Sequence, residues 1–481
     1  MQHLTANKPK ALVPVENLPM LFHLFRRFPD KRFIVIGDYK ADVLREYLAC
    51  FAEVEYLFVQ ATGGGTCGGV SQGLELVPAG QPFMLVWSDL VLPWTFELPA
   101  GPGNYVGISQ TFPCRWSYEG GVFVERNSDR HGVAGLFIFD DKSILSGLPD
   151  DGELVKWLAG RDLQFQELGL SGTREFGVLA EYEALPEEKS RPFNKLSIDG
   201  DTVTKESLDA QGDELARLES QWYAFAKSRG VKDIPVIHST SPLKLERIQG
   251  RNIHECADIP MADKRAVLGR IVSALKDLHN LDQRPVDHFS MHEAYFGKTM
   301  TRLAKIRDLV PHASDRTIRV NGRECRNIYY YARDLERKLE ALPCDHFSLI
   351  HGDCTFSNLM LRNDSTPVMI DPRGYFGFTE IFGDPNYDWA KLYYSVVGNY
   401  DRFNLKDFRL TIPANGADVR IGSNGWEALE DDFFALSNTD RETIRTIHAI
   451  IWLSLTTYAW QDYDSICGAF YNGLYYLEEV L

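Results

Sequence analysis

The sequence lacks a long apolar stretch, since no run approaches the ~18 to 20 residues that a helix needs to cross a bilayer. The longest candidate, AIIWLSLTTYAW (449–460), is short and contains hydroxyl side chains, which favours a buried helix. The N-terminal residues also lack the charged-then-apolar order of a secretory signal. We therefore expect no insertion into a membrane.

Paired cysteines and excess positive charge are missing as well. The eight cysteines are scattered, without CxxC or metal-ligand spacing, so we expect reduced thiols in a cytoplasmic protein. The formal net charge of −16 disfavours a nucleic-acid partner, because neutralising phosphates needs clustered Lys and Arg. A small-molecule substrate is the remaining expectation, and the oligomeric state is left open.

A chain of 481 residues is too long for one ordinary core, so at least two domains are expected. The first third alternates short apolar strands, such as RFIVIGD (32–38) and PFMLVWSDLVL (82–92), with helical patterns. This alternation predicts an α/β domain with a mainly parallel sheet. The charged stretch LPEEKSRP (185–192) is the predicted boundary.

The remainder of the chain has a different pattern. Asp199-Gly200 predicts a β-hairpin, and residues 209–230 form one long amphipathic pattern that ends at a glycine, as helices do. From about residue 260 the pattern is mostly helical, interrupted by LIHGDCTFSNLML (349–361) and the strand VMID. This interruption predicts a hairpin with polar residues at its ends.

Three side chains at that interruption have the chemistry of phosphoryl transfer. Asp353, Asn358 and Asp371 fall on loops at neighbouring strand ends. Phosphoryl transfer needs a carboxylate that orients the attacking hydroxyl and accepts its proton, and oxygen ligands that hold Mg²⁺ against nucleotide phosphates. Asp353 fits the first role, and Asn358 and Asp371 fit the second.

The segment resembles the aminoglycoside phosphotransferase and choline kinase family, a branch of the protein-kinase-like fold. The family pattern is present as His351-Gly-Asp353, Asn358 and Ile-Asp371, followed by Asp388 in YDWAKLYYS. The resemblance implies an α+β kinase-like domain that uses ATP and Mg²⁺, with an N-lobe at 189–258 and a mostly helical C-lobe at 259–481. It also implies that His351 and Asp388 support the catalytic loop.

The same resemblance implies a nucleotide site upstream. Lys205 is the strand lysine expected on the α- and β-phosphates, with Glu219 as its partner and Glu214 as the rival. Backbone groups between Glu246 and Ile248 are expected to meet adenine. No Gly-rich loop precedes Lys205, so a short hairpin would have to cover the phosphates.

Residues 1–188 resemble the sugar-nucleotide and phosphocholine nucleotidyltransferases, which have a Rossmann-like, GT-A-type fold. In NKPKALVPVENLPML, Lys10 matches the family lysine that meets phosphates, and Thr66 lies in a Gly-Thr turn that approaches base or sugar. Asp89 matches a metal-binding Asp, and Glu175 stands at the second metal position. The resemblance implies CTP or another nucleoside triphosphate as substrate.

Members of this second family open with a strand and a Gly-rich phosphate loop immediately before the segment matched here. The printed sequence begins inside the motif. We therefore expect either that translation starts further upstream or that the domain has given up its usual chemistry and serves as a scaffold.

Together the two resemblances imply that a hydroxyl of a sugar, polyol or amino alcohol is phosphorylated and then coupled to a nucleotide. The product would be an activated precursor for decorating a surface polysaccharide or lipid. Aromatic residues after Asp371 could cage a quaternary ammonium such as choline, although at helical spacing they are usually core. Arg373 instead favours an acceptor with carboxylate, phosphate or hydroxyl groups, unless it pairs with Asp384 or Asp388.

Two other hypotheses come from different classes. In the first, the protein is a pseudoenzyme that binds ligands to sense or scaffold, which the missing first strand would fit. In the second it phosphorylates proteins, which the missing Gly-rich loop and the lack of an activation-loop-like segment disfavour.

Overall fold

The computed structural model describes residues 3–177, 182, 194–207 and 210–481. The chain divides into two compact units, Met1–Glu188 with Gln461–Tyr463, and Lys189–Trp460 with Asp464–Leu481. The predicted boundary segment 185–192 lies outside the described residues. Within the described part, no helix is both long and apolar enough to cross a membrane, and all eight cysteines are free thiols.

The first unit alternates short strands and helices. Its strands are β1 Pro14–Val15, β2 Leu18–Pro19, β3 Phe33–Gly37, β4 Tyr56–Gln60, β5 Phe83–Val86, β6 Leu90–Val91, β7 Tyr105–Ser109, β8 Ser117–Glu119, β9 Val122–Val124, β10 Gly132–Phe139, β11 Gln166–Gly169 and β12 Arg174–Glu175. Its helices are α1 Met20–Arg27, α2 Ala41–Phe51, α3 Gly65–Leu76 and α4 Leu154–Ala159, with 3₁₀ turns at Lys10–Leu12 and Lys142–Leu145.

The six-stranded sheet of this unit is mixed, in the order β11-β7-β10-β8-β9 with β5 also on β10. Strand β10 is antiparallel to β5, β7 and β8, and parallel pairing is found for β7 with β11 and for β3 with β4. The prediction of a mainly parallel sheet is therefore wrong. The chain passes from β7 to β10 through the hairpin β8–β9, and parallel pairing would need a crossover instead.

The core of the first unit lies where β10 and β7 pack against α3 and α4. The side chains of Phe137, Phe139 and Phe165 are buried there with ring centroids 5.9 to 6.3 Å apart. Aromatic pairs at this separation stabilise a core beyond the area that they bury.

The second unit combines a small antiparallel sheet with a helical region. Its strands are β13 Asn194–Asp199, β14 Thr202–Ser207, β15 Ile237–Thr240, β16 Leu243–Glu246, β17 Gly250–Asn252, β18 Gln283–Arg284, β19 Thr317–Val320, β20 Arg323–Arg326, β21 Phe347–Leu349, β22 Leu359–Arg362, β23 Pro367–Met369, β24 Phe382–Gly383, β25 Phe408–Thr411 and β26 Asp418–Ile421. Its helices are α5 Ala210–Ser228, α6 Met261–His279, α7 His288–His292, α8 Lys298–Ile306, α9 Ile328–Glu340, α10 Pro385–Val396, α11 Tyr400–Asn404, α12 Glu430–Ser437, α13 Arg441–Leu455 and α14 Tyr463–Leu477. A π-helical turn at Glu293–Gly297 precedes α8.

The four-stranded sheet of the second unit has the order β13-β14-β16-β15 and is antiparallel throughout. The predicted hairpin is confirmed: β13 and β14 are joined by a two-residue turn in which Gly200 has a φ of +57°. The predicted long helix is confirmed as α5, which packs on β14 and β15. Its Trp222 is buried and its indole N–H donates to the Ile350 carbonyl at 2.7 Å. The helix is thereby fixed to the segment that precedes Asp353.

The helical region is built around α10. This helix packs on α13, and α13 also packs on α8. Residues on every side of α10 are buried, which identifies it as a central core helix. The loops that carry the candidate site lie on the three-stranded sheets β17-β22-β23 and β18-β21-β24.

Candidate active site

The hairpin β22–β23 brings two predicted metal ligands to the same end. Leu359 pairs with Met369 in the antiparallel register, so Asn358 just before β22 and Asp371 just after β23 are neighbours. The Ile370 N–H donates to the Asn358 carbonyl at 2.9 Å. The hairpin register therefore fixes the separation of the two ligands.

The loop that contains Asp353 is held by a buried carboxylate. Asp388 on α10 is fully buried and accepts hydrogen bonds from the N–H groups of His351 and Gly352, both at 2.7 Å. His279 Nε2 lies 3.0 Å from the same carboxylate. One side chain thus satisfies two backbone donors that would otherwise be buried without partners.

His351 fixes the loop from its other side. Its Nε2 donates to the Ile370 carbonyl at 2.9 Å, and its Nδ1 accepts the Asp353 N–H at 3.3 Å. Burial lowers the pKa of this imidazole, in keeping with a neutral ring that has one donor and one acceptor nitrogen. His351 thus connects the loop that contains Asp353 to the strand end at Asp371.

Gly352 is the residue at which this loop turns. Its φ is +78°, and an added Cβ would lie 2.9 Å from Arg373 Cβ. A side chain would therefore meet both an unfavourable backbone conformation and a close contact. The glycine between His351 and Asp353 is required by this geometry.

Asp353 contacts both an amide and a cation. Asn358 Nδ2 donates to the Asp353 carbonyl at 2.8 Å and to its Oδ2 at 2.9 Å. Lys391 Nζ lies 3.0 Å from Asp353 Oδ1. Because the NH₂ group of Asn358 faces Asp353, its amide oxygen is the atom suited to a cation.

Lys205 bridges two acidic residues. Its Nζ lies 2.7 and 2.9 Å from the Glu219 oxygens and 2.7 Å from Asp371 Oδ1. Burial opposes the charge on Lys205, but the Asp371 and Glu219 carboxylates outweigh it and raise the pKa of this lysine. The rival Glu214 is exposed and pairs with Arg217, so Glu219 is the residue that contacts Lys205.

Asp371 adopts a conformation that side chains rarely take. Its φ is +56°, in the left-handed region, and its N–H donates to Tyr223 Oη at 3.3 Å. A non-glycine residue there stores strain that the surrounding structure must compensate, as often happens at functional sites.

Part of the segment predicted to meet adenine already forms backbone hydrogen bonds within the protein. The Glu246 N–H donates to the Val236 carbonyl at 2.8 Å, and the Arg247 N–H donates to the Asp201 carbonyl at 2.7 Å. The Glu246 carboxylate pairs with Arg362. Among the described residues, Ile248 takes part in no backbone hydrogen bond, so its peptide groups are the suitable ones for a ligand.

The donor set fits a magnesium nucleotide. Asp371 supplies carboxylate oxygens and Asn358 an amide oxygen, which are the hard ligands that Mg²⁺ prefers. Within the described residues, no three His, Cys, Asp or Glu side chains form a metal cluster. A cation here would therefore rely on few protein ligands together with phosphate oxygens, as Mg²⁺ commonly does.

Arg373 is not paired with Asp384 or Asp388. The alternative prediction of such an ion pair is therefore wrong. Asp384 accepts from Tyr295 Oη at 2.7 Å, and Asp388 accepts the N–H groups of His351 and Gly352. Arg373 Nη1 instead donates to Tyr387 Oη at 2.9 Å, and its guanidinium lies 5.1 Å from the centroid of the Tyr375 ring. The backbone of Arg373 is hydrogen-bonded to the loop that contains Asp353. Its side chain lies beside Tyr387.

Several nearby cations were not identified from the sequence. Lys391 lies three residues after Asp388 in YDWAK, which places both on one helix face. This spacing is the sequence signal from which Lys391 could have been placed near the site. Lys298 and Arg302 come from α8, whose amphipathic pattern does not distinguish them from solvated lysines and arginines. Only the tertiary packing brings them near Arg373 and Lys391.

In the first unit, two of the predicted residues are in contact. Lys10 Nζ lies 2.5 Å from Asp89 Oδ2, and Glu175 on β12 is paired in register with Leu90, the residue after Asp89. Thr66 Oγ1 accepts the Leu154 N–H at 2.8 Å at the start of α4. Lys10, Asp89 and Glu175 are thus neighbours, whereas Thr66 caps a helix.

Comparisons with known proteins agree with the geometry of the second unit. Residues 197–408 match the model of the phosphotransferase enzyme family (APH). The second unit therefore contains a phosphotransferase-family domain, which confirms the predicted kinase-like resemblance for this part of the chain. The nucleotidyltransferase-like resemblance of residues 1–188 stays a prediction. A search of curated proteins gives no match.

Among solved structures, the complex of APH(2")-IIia with GDP and kanamycin is 15% identical, with a TM-score of 0.38 and coverage of 61% of this chain and 91% of that one. Choline kinase LicA from Streptococcus pneumoniae is 12% identical, with a TM-score of 0.40 and coverage of 61% and 93%. HddC from Yersinia pseudotuberculosis is 16% identical, with a TM-score of 0.31 and coverage of 38% and 92%. At these values none of the three assigns a function to this chain.

Proposed function

We propose that the second unit is an ATP- and Mg²⁺-dependent kinase that phosphorylates a hydroxyl group of a small molecule. The observation that carries the proposal is one continuous set of contacts. It runs from Glu219 through Lys205 to Asp371, and across the hairpin from Ile370 to Asn358 and Asp353. These are the groups that phosphoryl transfer requires, in contact with one another.

In this proposal each residue has one task. Asp353 orients the acceptor hydroxyl and takes its proton as the oxygen attacks the γ-phosphorus, while Lys391 holds the carboxylate in place. Lys205, aligned by Glu219, binds the α- and β-phosphates, and the Ile248 backbone meets the adenine. Bound Mg²⁺, held by Asn358 and Asp371, would neutralise charge on the phosphates.

The wider form of the proposal couples this kinase to a nucleotidyltransferase-like first unit. The acceptor would be a sugar, polyol or amino alcohol, and its phosphate would then react with CTP or another nucleoside triphosphate in the cytoplasm. The contact of Lys10 with Asp89, beside Glu175, supports a charged site in that unit. The alternative is a first unit that serves only as a scaffold. Titrating CTP and UTP into the full chain separates these two forms.

The kinase proposal is tested with Asp353→Asn and the control Asp431→Asn, which changes a 90% exposed carboxylate elsewhere in the unit. We expect Asp353→Asn to bind Mg·ADP like the wild type, measured by calorimetry, while ATP consumption with a mixture of small alcohols is lost. Equal consumption by both variants would refute the assignment of Asp353. Binding of Mg·ADP without turnover in the wild type would favour a pseudoenzyme, and labelling of added proteins would favour a protein kinase.

A further inference from the structure

Four cationic side chains from three separate segments lie close enough to one another to interact electrostatically. Lys298 and Arg302 are one turn apart on α8 and therefore share a helix face. Arg373 follows β23, and Lys391 projects from α10. None of these segments adjoins another in the sequence, so the cluster is a product of the tertiary fold.

Tyr387 on α10 is a common contact of three members of this cluster, Lys298, Arg373 and Lys391. Arg373 Nη1 donates to its hydroxyl at 2.9 Å. The ammonium groups of Lys298 and Lys391 lie 6.0 and 5.9 Å from the centroid of its ring. Lys391 in turn contacts Asp353 at 3.0 Å, so the cluster adjoins the proposed catalytic carboxylate.

The positive charge of the cluster is not balanced by acidic side chains. Within the described residues, no Asp or Glu forms an ion pair with Lys298, Arg302 or Arg373. Arg302 donates to the carbonyl and the hydroxyl of Ser454. By contrast, Lys205 in the nucleotide site contacts two carboxylates.

The excess of positive charge shifts the pKa values of groups within the cluster and beside it. Burial, followed by Arg373, Arg302 and Lys391, lowers the pKa of Lys298 to about 8. Burial opposes ionisation of Tyr387, but Arg373, Lys391 and Lys298 outweigh it and lower its pKa to about 7. Even with Tyr387 ionised, the four cations face two negative charges, on Tyr387 and Asp353.

Partly buried cations without a carboxylate partner are costly, and such groups are candidates for compensation by an anionic ligand. A phosphate monoester carries about 1.5 to 2 negative charges at neutral pH, so it can compensate positive charge that the protein does not pair with carboxylates. Arginine is also suited to phosphate and carboxylate, since its planar fork donates two parallel hydrogen bonds.

We propose that Lys298, Arg302 and Arg373 bind an anionic group of the acceptor, so that the substrate is an alcohol that also carries a phosphate ester or a carboxylate. The inference rests on the proposed function and names its substrate class. The γ-phosphoryl group is transferred to the free hydroxyl: the bond from γ-phosphorus to the bridging oxygen breaks, the new O–P bond forms, the proton goes to Asp353 and ADP leaves. The anionic group remains on the cluster throughout.

The first experiment titrates inorganic phosphate into the full chain saturated with Mg·ADP, so that the nucleotide site is already filled. We expect binding at least tenfold weaker in Arg373→Gln and in Lys298→Met, with partial recovery in Arg373→Lys. Arg265→Gln, an exposed arginine paired with Asp432, is the control and should bind phosphate like the wild type. Phosphate binding that none of these substitutions changes would overturn the proposal.

The second experiment compares glycerol 3-phosphate, glycerate, glycerol and choline as acceptors for labelled ATP. We expect kcat/KM to be at least tenfold higher for an anionic acceptor than for glycerol, and the advantage to fall in Arg373→Gln. Preference for glycerol or choline would overturn the anionic class while leaving the kinase proposal intact. If none of the four is phosphorylated, the phosphate titration decides. Failure of the wild type to bind Mg·ADP is a separate result that counts against the kinase itself.

Discussion

In the second unit a buried carboxylate and a hairpin register hold the candidate residues through backbone hydrogen bonds, whereas in the first unit Lys10 and Asp89 meet in a partly exposed ion pair. Asp388 supports the loop that contains Asp353 through two N–H groups, and the β22–β23 register fixes Asn358 against Asp371. Lys10 and Asp89 contact each other with side chains that are 33% and 16% exposed. A site supported by backbone bonds holds its geometry, while a partly exposed pair can be lost at little cost.

The largest difference between the units is expected in stability. Asp388→Ala leaves the N–H groups of His351 and Gly352 without an acceptor, and each buried orphan donor costs about 1 to 3 kcal/mol. We expect a loss of about 2 to 6 kcal/mol in urea unfolding, against about 0 to 1 kcal/mol for Asp89→Ala. Hydrogen exchange at residues 347–362 should rise with the first substitution alone. Equal losses for both variants would remove the distinction.

The next effect concerns activity. Lys205→Met removes the cation between Glu219 and Asp371, and losing one positioned donor at a reaction site typically costs about 10²- to 10³-fold in rate. We expect that loss in the ATP consumption of the full chain, with Lys10→Met indistinguishable from the wild type. An equal loss with Lys10→Met would mean that the first unit contributes to the same reaction.

A smaller difference is expected for two glycines with positive φ. Gly120 in the first unit has a φ of +60° with open space around its Cβ position, while an added Cβ on Gly352 would lie 2.9 Å from Arg373 Cβ. Gly120→Ala should cost about 1 to 2 kcal/mol for the backbone alone. Gly352→Ala should cost more and also reduce ATP turnover, because it displaces the loop that holds Asp353. If Gly120→Ala costs as much in thermal unfolding as Gly352→Ala, the steric argument fails.

The neighbouring positions of the candidate residues in the second unit could be predicted from the sequence because the central ones lie in one stretch, from His351 to Asp371. A hairpin with polar residues at its ends has few possible geometries, so the contact of Asn358 with Asp353 follows from local structure. Lys205 and Glu219 needed the family resemblance, since a lysine at a strand end is ordinarily a surface residue.

The rest could not be predicted because it depends on packing between distant segments. Strand β10 is antiparallel to three neighbours, and strand direction is not visible in hydrophobic periodicity. Likewise Lys298 and Arg302 belong to an ordinary amphipathic helix, and only its placement near α10 gives them a shared site. The same packing decides that Arg373 forms a hydrogen bond with Tyr387 and does not pair with Asp384.

The pH dependence of stability tests the charge surplus that distinguishes the second site from the Lys10–Asp89 pair. The pKa of Lys298 is about 8 in the folded protein and about 10.4 in an unfolded chain. Between these values the unfolded chain binds a proton that the folded protein does not, so the contribution of Lys298 to stability rises with pH. Lys298→Met should therefore gain stability relative to the wild type at pH 7.5, and this relative gain should shrink toward pH 10. Thermal unfolding of both proteins across this range measures it, and a pH-independent difference would show that Lys298 is compensated by a partner.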